Sequence, residues 1–298
     1  MIARVQKPQK KLGASTIGAI LVELERLSPG VIDVVKRYAA EYQIGLDEAA
    51  VRLKLVTQKD IDLALAQQFK YPTLAQGGHE GLSQEVVAAY NPQSEAVEPL
   101  RALRSQLTLR WRTLPNRTAL AITSPDRGDG RSWLAANLAT VFAQAGDRTL
   151  LVDTDLRRPC QHKLFNIDNS AGLSALLTGR ALGRDVVRRI NPELRLYVLP
   201  AGMLPPNPQE LLLRPAFELV LTRLAEQFDV IILDTPPANE SADAQILAAR
   251  AGAAILVARR NYSKVADLEA TMGSFSEIGV TVVGSVINEH HHGVRANA

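Results

Sequence analysis

Residues 120–145 read LAITSPDRGDGRSWLAANLATVFAQA, and the fold follows from them. Leu120–Thr123 is a short apolar strand, Ser124 to Ser132 is a loop holding Gly128 and Gly130, and a helix-forming run follows to Ala145. Strand, glycine loop and helix in that order are the setting of a phosphate-binding P-loop. Glycines let backbone N–H groups close round phosphate oxygens, and the helix N-terminus adds positive potential. Arg127, Gly128, Asp129, Gly130, Arg131, Ser132 and Trp133 are the expected nucleotide contacts, with the Ser132 hydroxyl placed for magnesium. Arg131 stands where such a loop usually carries lysine, keeping the charge but adding bulk and a planar fork. Taken alone, the loop also reads as a plain strand-to-helix turn.

Outward from this stretch, "LAIT", "RTLLVD", "LRLYVLP", "DVIILD", "AAILVA" and "TVVGSVIN" alternate with helical segments. Near-continuous apolar strands separated by helices mean a parallel sheet covered on both faces. The expected fold is α/β, a doubly wound sheet of P-loop NTPase type whose ligands bind at the carboxyl ends of the strands. Asp153 and Asp155 close the second run in "LLVDTDLRRP", and Asp234 closes the fourth in "IILDTPP". Carboxylates at the tips of buried strands are costly unless they meet a cation or hydrogen-bond donors. Any one of them could cap the next helix. All three beside a phosphate loop point to a magnesium and water site.

Upstream, residues 17–73 read as a small all-helical domain. Ile20, Leu21, Leu24 and Leu27 form one apolar stripe, Ser28-Pro29 opens a second helix, and Thr57 with Asp60 opens another. Residues 74–95, with Gly77, Gly78, Gly81 and Pro92, read as a linker holding one short helix near Gln84 to Ala89. Residues 96–290 form the nucleotide domain. Residues 1–16 are a basic tail with Arg4, Lys7, Lys10 and Lys11, and 291–298 a second tail.

Composition narrows the classes. A net charge of +3 over 298 residues argues against a dedicated nucleic-acid surface. One cysteine, Cys160, excludes a disulfide framework and fits a reducing cytosol. No apolar run approaches the ~20 residues of a membrane helix. Cys160 with His162 supplies too few ligands for zinc, and His290 to His292 read as a solvated tail.

Together the glycine loop, "LLVDTDLR" and "IILDTPP" resemble the Walker A, Asp-x-Asp-x-Arg and Walker B motifs of the bacterial tyrosine kinases. The likeness runs from about residue 95 to 289, through "DLRRPCQHKLF", "AGLSALLTGR", "LPAGMLPPNPQELL" and "DAQILAARAGAAILVARR". It implies ATP and Mg2+ as cofactors and transfer of phosphate to protein tyrosine, controlling exopolysaccharide chain length, polymerisation or export. By the same resemblance Asp153, Asp155 and Arg131 are catalytic, Ser132, Asp153 and Asp234 hold the metal, and Asn288 reaches the adenine. Glu98, Arg101 and Arg104 match the family's Glu-x-x-Arg-x-x-Arg pattern, which packs subunits into a ring; on residues alone they are also an ordinary salt-bridged helix. A membrane chain-length regulator on a separate chain is the implied partner, placing this chain in the cytoplasm, peripheral at the inner membrane.

Residues 17–73 are similar to the N-terminal domain of type II secretion ATPases. Relatives of that domain bind cyclic di-GMP through Arg-Leu-Gly segments; here Thr16-Ile17-Gly18 and Gly45-Leu46-Asp47 lack the arginines, which favours protein docking. The family's tyrosine-rich tail is missing after Tyr262, so Tyr71 and Tyr90 beside the linker are the tyrosines with reach. Two other functions fit the motifs: a partitioning-type assembly ATPase, and a non-catalytic ATP-binding regulator of the same export machinery. Asp126, where partitioning ATPases carry a signature lysine, argues against the former; Arg131 keeps the latter open.

Overall fold

The computed structural model describes residues 17–68, 82–90, 94–113, 118–192 and 194–289. The chain divides into two compact units, Met1–Thr73 and Leu74–Ala298.

The first unit is helical: Ile17–Glu23, Ile32–Tyr42, Leu46–Arg52 and Gln58–Gln68. Ile20, Leu21, Leu27, Val35, Ala49, Ala50, Val56, Ile61 and Ala64 are its buried core. The Thr57 start is a reciprocal cap: the Thr57 amide donates to Asp60 Oδ2 at 2.8 Å, and the Asp60 amide donates back to Thr57 Oγ1 at 3.3 Å. Ser28 opens only a 3-10 turn, Pro29–Val31, and makes no side-chain cap.

The second unit is built on seven strands: β1 (Ala119–Thr123), β2 (Thr149–Asp153), β3 (Arg188–Arg189), β4 (Leu196–Leu199), β5 (Val230–Asp234), β6 (Ala253–Arg259) and β7 (Thr281–Asn288). Their order across the sheet is β3-β4-β2-β5-β1-β6-β7. All six apolar runs of the sequence are strands of this sheet and pair in parallel. The two-residue β3 is an addition that periodicity could not show, antiparallel to β4 at the edge. Leu120, Ile122, Leu151 and Ile232 face one core; Ala121, Leu150, Val152 and Ile231 face the other. The central strands β1, β2 and β5 are therefore buried on both sides, as near-continuous apolar strands require, while the edge strands β3 and β7 are not.

The helix Arg131–Gln144 lies within the first of these cores, with Ala135, Ala136, Ala139 and Ala143 all buried. Small residues let a helix approach the sheet closely. Segment Leu82–Tyr90 packs here too: Leu82, Val86, Ala88 and Ala89 are buried in the same cluster. Its short helix is Val87–Tyr90. Asn137 Oδ1 accepts from the Ala88 amide at 3.0 Å, Asn137 Nδ2 donates to Glu85 O at 3.0 Å, and Gln144 Nε2 donates to Ala88 O at 2.6 Å. Tyr197 is half-buried, its ring meeting Phe228 edge-on at 5.2 Å. Among the described residues, no helix is long and apolar enough to cross a membrane.

Candidate functional site

Strand β1 sits between β5 and β6, so the loop that leaves it opens at the centre of the sheet. Gly128 and Gly130 adopt φ of +89° and +100°, the left-handed region in which glycine is unstrained. At Gly130 a Cβ would overlap the Asn288 amide, which donates to Asp129 O at 3.0 Å. Asn288, expected beside the adenine, thus has its amide nitrogen on the loop backbone. Asp129 is fully buried and braces the loop: Oδ2 accepts from the Asp126 amide at 3.1 Å, and Oδ1 accepts from Ser263 Oγ at 2.7 Å. Arg127 forms a fork with Glu240, at 2.9 and 2.6 Å. Trp133 packs, partly buried, on the larger core.

Arg131 is 5% exposed. Its Nε donates to Thr235 O at 3.0 Å, and Nη1 donates to Ser124 Oγ at 2.5 Å and Asp126 O at 2.6 Å. Burial lowers its proton affinity, against the opposing pull of Asp234 and Asp155. Nη2 makes no hydrogen bond to the described residues. Nε and Nη1 together tie the glycine loop to the segment that follows β5.

Asp153 and Asp234 are register partners at the tips of β2 and β5, both fully buried. Asp153 Oδ2 accepts from the Cys160 and Gln161 amides, each at 2.9 Å. Asp234 Oδ2 accepts from Gln161 Nε2 at 2.7 Å, and the nearby Ser132 hydroxyl helps to lower its proton affinity. The Oδ1 atom of each aspartate is buried without a partner. Desolvation, with Asp234 alongside, pushes Asp153 well above the usual carboxylate range. Desolvation raises Asp234 to about 6, against the Gln161 hydrogen bond and the Arg131 charge, which hold it down. Nearby, burial pushes the Cys160 thiol up to about 12, so it stays protonated.

Asp155 lies at the same rim but is engaged in a turn: its Oδ1 accepts from the Arg157 and Arg158 amides at 3.1 and 2.8 Å. Its Oδ2 lies 3.8 Å from Arg127. Sequence reading passed over Gln161, Glu240 and Asp243, the last pairing with Arg157 at 2.7 Å. The signal available for Gln161 was Pro159, which marks a fresh helix start two residues on, where amides point back at Asp153.

Among the described residues, no three His, Cys, Asp or Glu side chains form a cage for a bare metal ion. Two carboxylates with orphaned oxygens and a serine hydroxyl fit instead a magnesium ion that keeps several waters and shares nucleotide phosphates. Glu98, Arg101 and Arg104 lie on the helix Glu98–Arg110, away from this centre in sequence. Glu98 pairs with Arg101 at 3.4 Å, while Arg104 Nη1 donates inward to Val141 O at 3.0 Å.

Comparison with known proteins places this geometry. Residues 118–277 match the family described as AAA domain. The chain is 35% identical over 199 residues to the putative tyrosine-protein kinase CapB of Staphylococcus aureus, covering 66% of this chain and 86% of that protein. It is 33% identical over 202 residues to the tyrosine-protein kinase Etk of Escherichia coli (strain K12), covering 68% of this chain but only 28% of that one. In space, the kinase domain of Escherichia coli Etk superposes with a TM-score of 0.67 at 28% identity, over 78% of this chain and 94% of that domain. With a buried aspartate pair set beside a P-loop and a CapB relative matched along most of its length, the chain belongs to the bacterial tyrosine-kinase family.

Proposed function

We propose that this chain transfers the γ-phosphoryl group of ATP to protein tyrosine and so regulates exopolysaccharide chain length, polymerisation or export. The observation that carries it is the pair of buried carboxylates, Asp153 and Asp234, register partners at the tips of neighbouring strands beside the P-loop, each with one unpartnered oxygen. Phosphoryl transfer needs mainly positioning and charge neutralisation. Backbone amides of Gly128 to Ser132 would receive the phosphates, with the Arg131 guanidinium supplying charge to them. Ser132 and Asp234, with Asp153 close by, would hold a magnesium ion, which would supply positive charge to the transferring group. Asp153 Oδ1 takes the phenolic proton as the tyrosine O–P bond forms and the bond from the γ-phosphorus to ADP breaks. Burial makes that carboxylate a stronger base. Asp155 assists by holding the rim turn and Arg127.

The partner is a membrane chain-length regulator on another chain, which would hold this protein at the inner membrane. The helical unit docks a protein rather than cyclic di-GMP, and the Glu98 helix packs copies into a ring. The acceptor tyrosine belongs to another protein. Tyr71 and His290 to His292 lie outside the described residues, and Tyr90, though 44% exposed, donates its hydroxyl to Leu82 O.

Purified protein, labelled ATP and the regulator's cytoplasmic segment test the reading. Phosphotyrosine on the partner is the expected product. Free phosphate alone would point to an assembly ATPase, and bound ATP with neither product to a non-catalytic regulator.

A further inference from the structure

Gln161 is fully buried and stands where three motifs meet. Its backbone amide donates to Asp153 Oδ2 at 2.9 Å, and its side-chain Nε2 donates to Asp234 Oδ2 at 2.7 Å and to Ser132 O at 3.0 Å. The orientation of the amide is fixed by chemistry. Both neighbours of Nε2 are acceptors, so the flipped amide would set oxygen against oxygen. Oε1 must therefore face the other way, and there it is sealed from solvent with no donor.

An amide oxygen buried without a donor has given up its water and gained nothing in return. Here it is not alone. Among the described residues six buried side-chain polar atoms lack partners, and Asp153 Oδ1, Gln161 Oε1 and Asp234 Oδ1 belong to residues already joined by hydrogen bonds. Thr123 Oγ1, at the tip of β1, is a fourth orphan, one position beyond the residue that pairs with Asp234. Three of these orphaned oxygens sit on one hydrogen-bonded group of residues and lack a donor. A hydrated dication supplies it, because the waters of its shell present O–H groups outward.

We propose that Gln161 is a positioning residue of the nucleotide–metal site: Nε2 fixes Asp234 and the first turn after the P-loop, and Oε1 accepts from a water of the magnesium shell. This rests on the kinase reading only insofar as that reading places a metal–nucleotide complex here. Gln161 thereby ties the segment after β2 to the P-loop and to β5 with one side chain. Misplacing Asp234 loosens the metal and slows transfer, while the phosphate-binding amides stay intact.

Two isosteric changes separate the roles. Gln161→Met removes both donor and acceptor; Gln161→Glu removes the Nε2 donor but keeps an oxygen toward the shell. Mn2+ binding to the full chain with ADP is followed by electron paramagnetic resonance, and ADP affinity without metal by calorimetry. Thermal melts compare each variant with the parent. The expected pattern is about tenfold weaker Mn2+ binding in Gln161→Met and a smaller loss, about threefold, in Gln161→Glu, which gives up the Nε2 hold on Asp234 but keeps an oxygen in place of Oε1. Metal-free ADP affinity stays unchanged in both, and kcat falls in both with KM for the peptide held. Equal Mn2+ affinity in all three proteins, or equal loss in both variants, overturns the proposal. Asp234→Asn in the same assay guards the underlying reading. If it binds Mn2+ as the parent does, the site itself is misassigned; if it loses the metal while Gln161→Met keeps it, only the role of Gln161 fails.

Discussion

At the scale of single residues, the site is defined by groups held against their preference. Asp234 is fully buried, with a folded value of about 6 against 3.8 for a free side chain. The folded state therefore binds this proton more tightly than the unfolded chain does. Its contribution to metal-free stability is fully present below pH ~4, fades as pH rises toward 6, and is a penalty above that. Asp234→Asn should thus stabilise the metal-free protein at pH 8, by on the order of 2–3 kcal/mol, with no difference near pH 4. It should also abolish phosphotyrosine formation, as should Asp153→Asn. Urea titrations at the two pH values check the first expectation, and equal stability at pH 8 would contradict it. The aspartates and the loop were legible in the sequence because a carboxylate at the end of an apolar strand is conspicuous. Gln161 was not, because an amide carries no charge and its value depends on which acceptors the fold sets around it.

At the scale of elements, the helix Arg131–Gln144 carries the P-loop at its start and is stapled along one side by segment Leu82–Tyr90. Asn137 is the staple, bonding Ala88 N and Glu85 O as well as Trp133 O in its own helix. Asn137→Ala leaves an amide and a carbonyl of the segment without partners in a buried setting. A loss of about 2–3 kcal/mol is expected, with faster hydrogen exchange at the Ala88 amide than in the parent. Unchanged exchange there would show that the segment is held by apolar packing alone. Glycines and a proline made residues 74–95 read as one linker. The apolar residues Leu82, Val86, Ala88 and Ala89 are too few to show a periodicity, and only the partner helix reveals what they pack against. Apolar runs, in contrast, located the six parallel strands, since central strands buried on both faces must be apolar nearly throughout, and the exposed edge strand β7 was still marked by its valines and isoleucine.

At the scale of the whole molecule, the proposed ring must use surface that each copy leaves available. Arg104 is already committed to Val141 O within its own unit, whereas Glu98 is 72% exposed and its pair with Arg101 is long, at 3.4 Å. Glu98→Ala, sparing Arg101 and Arg104, should therefore turn a concentration-dependent assembly into monomers without lowering the melting temperature by more than a few degrees. Light scattering that gives both proteins the same assembled mass would refute the ring. Assembly of the nucleotide loop also has an order in time. Its braces come from far downstream: Thr235 for Arg131, Glu240 for Arg127, Ser263 for the Asp129 side chain and Asn288 for its carbonyl. A ribosome makes the glycine loop more than a hundred residues before the last of these. The nascent chain therefore carries the whole phosphate motif for much of its synthesis without the contacts that shape it. The last of these braces exists only once residue 288 has emerged, so a chain stalled short of that point holds a glycine loop without its Asn288 contact.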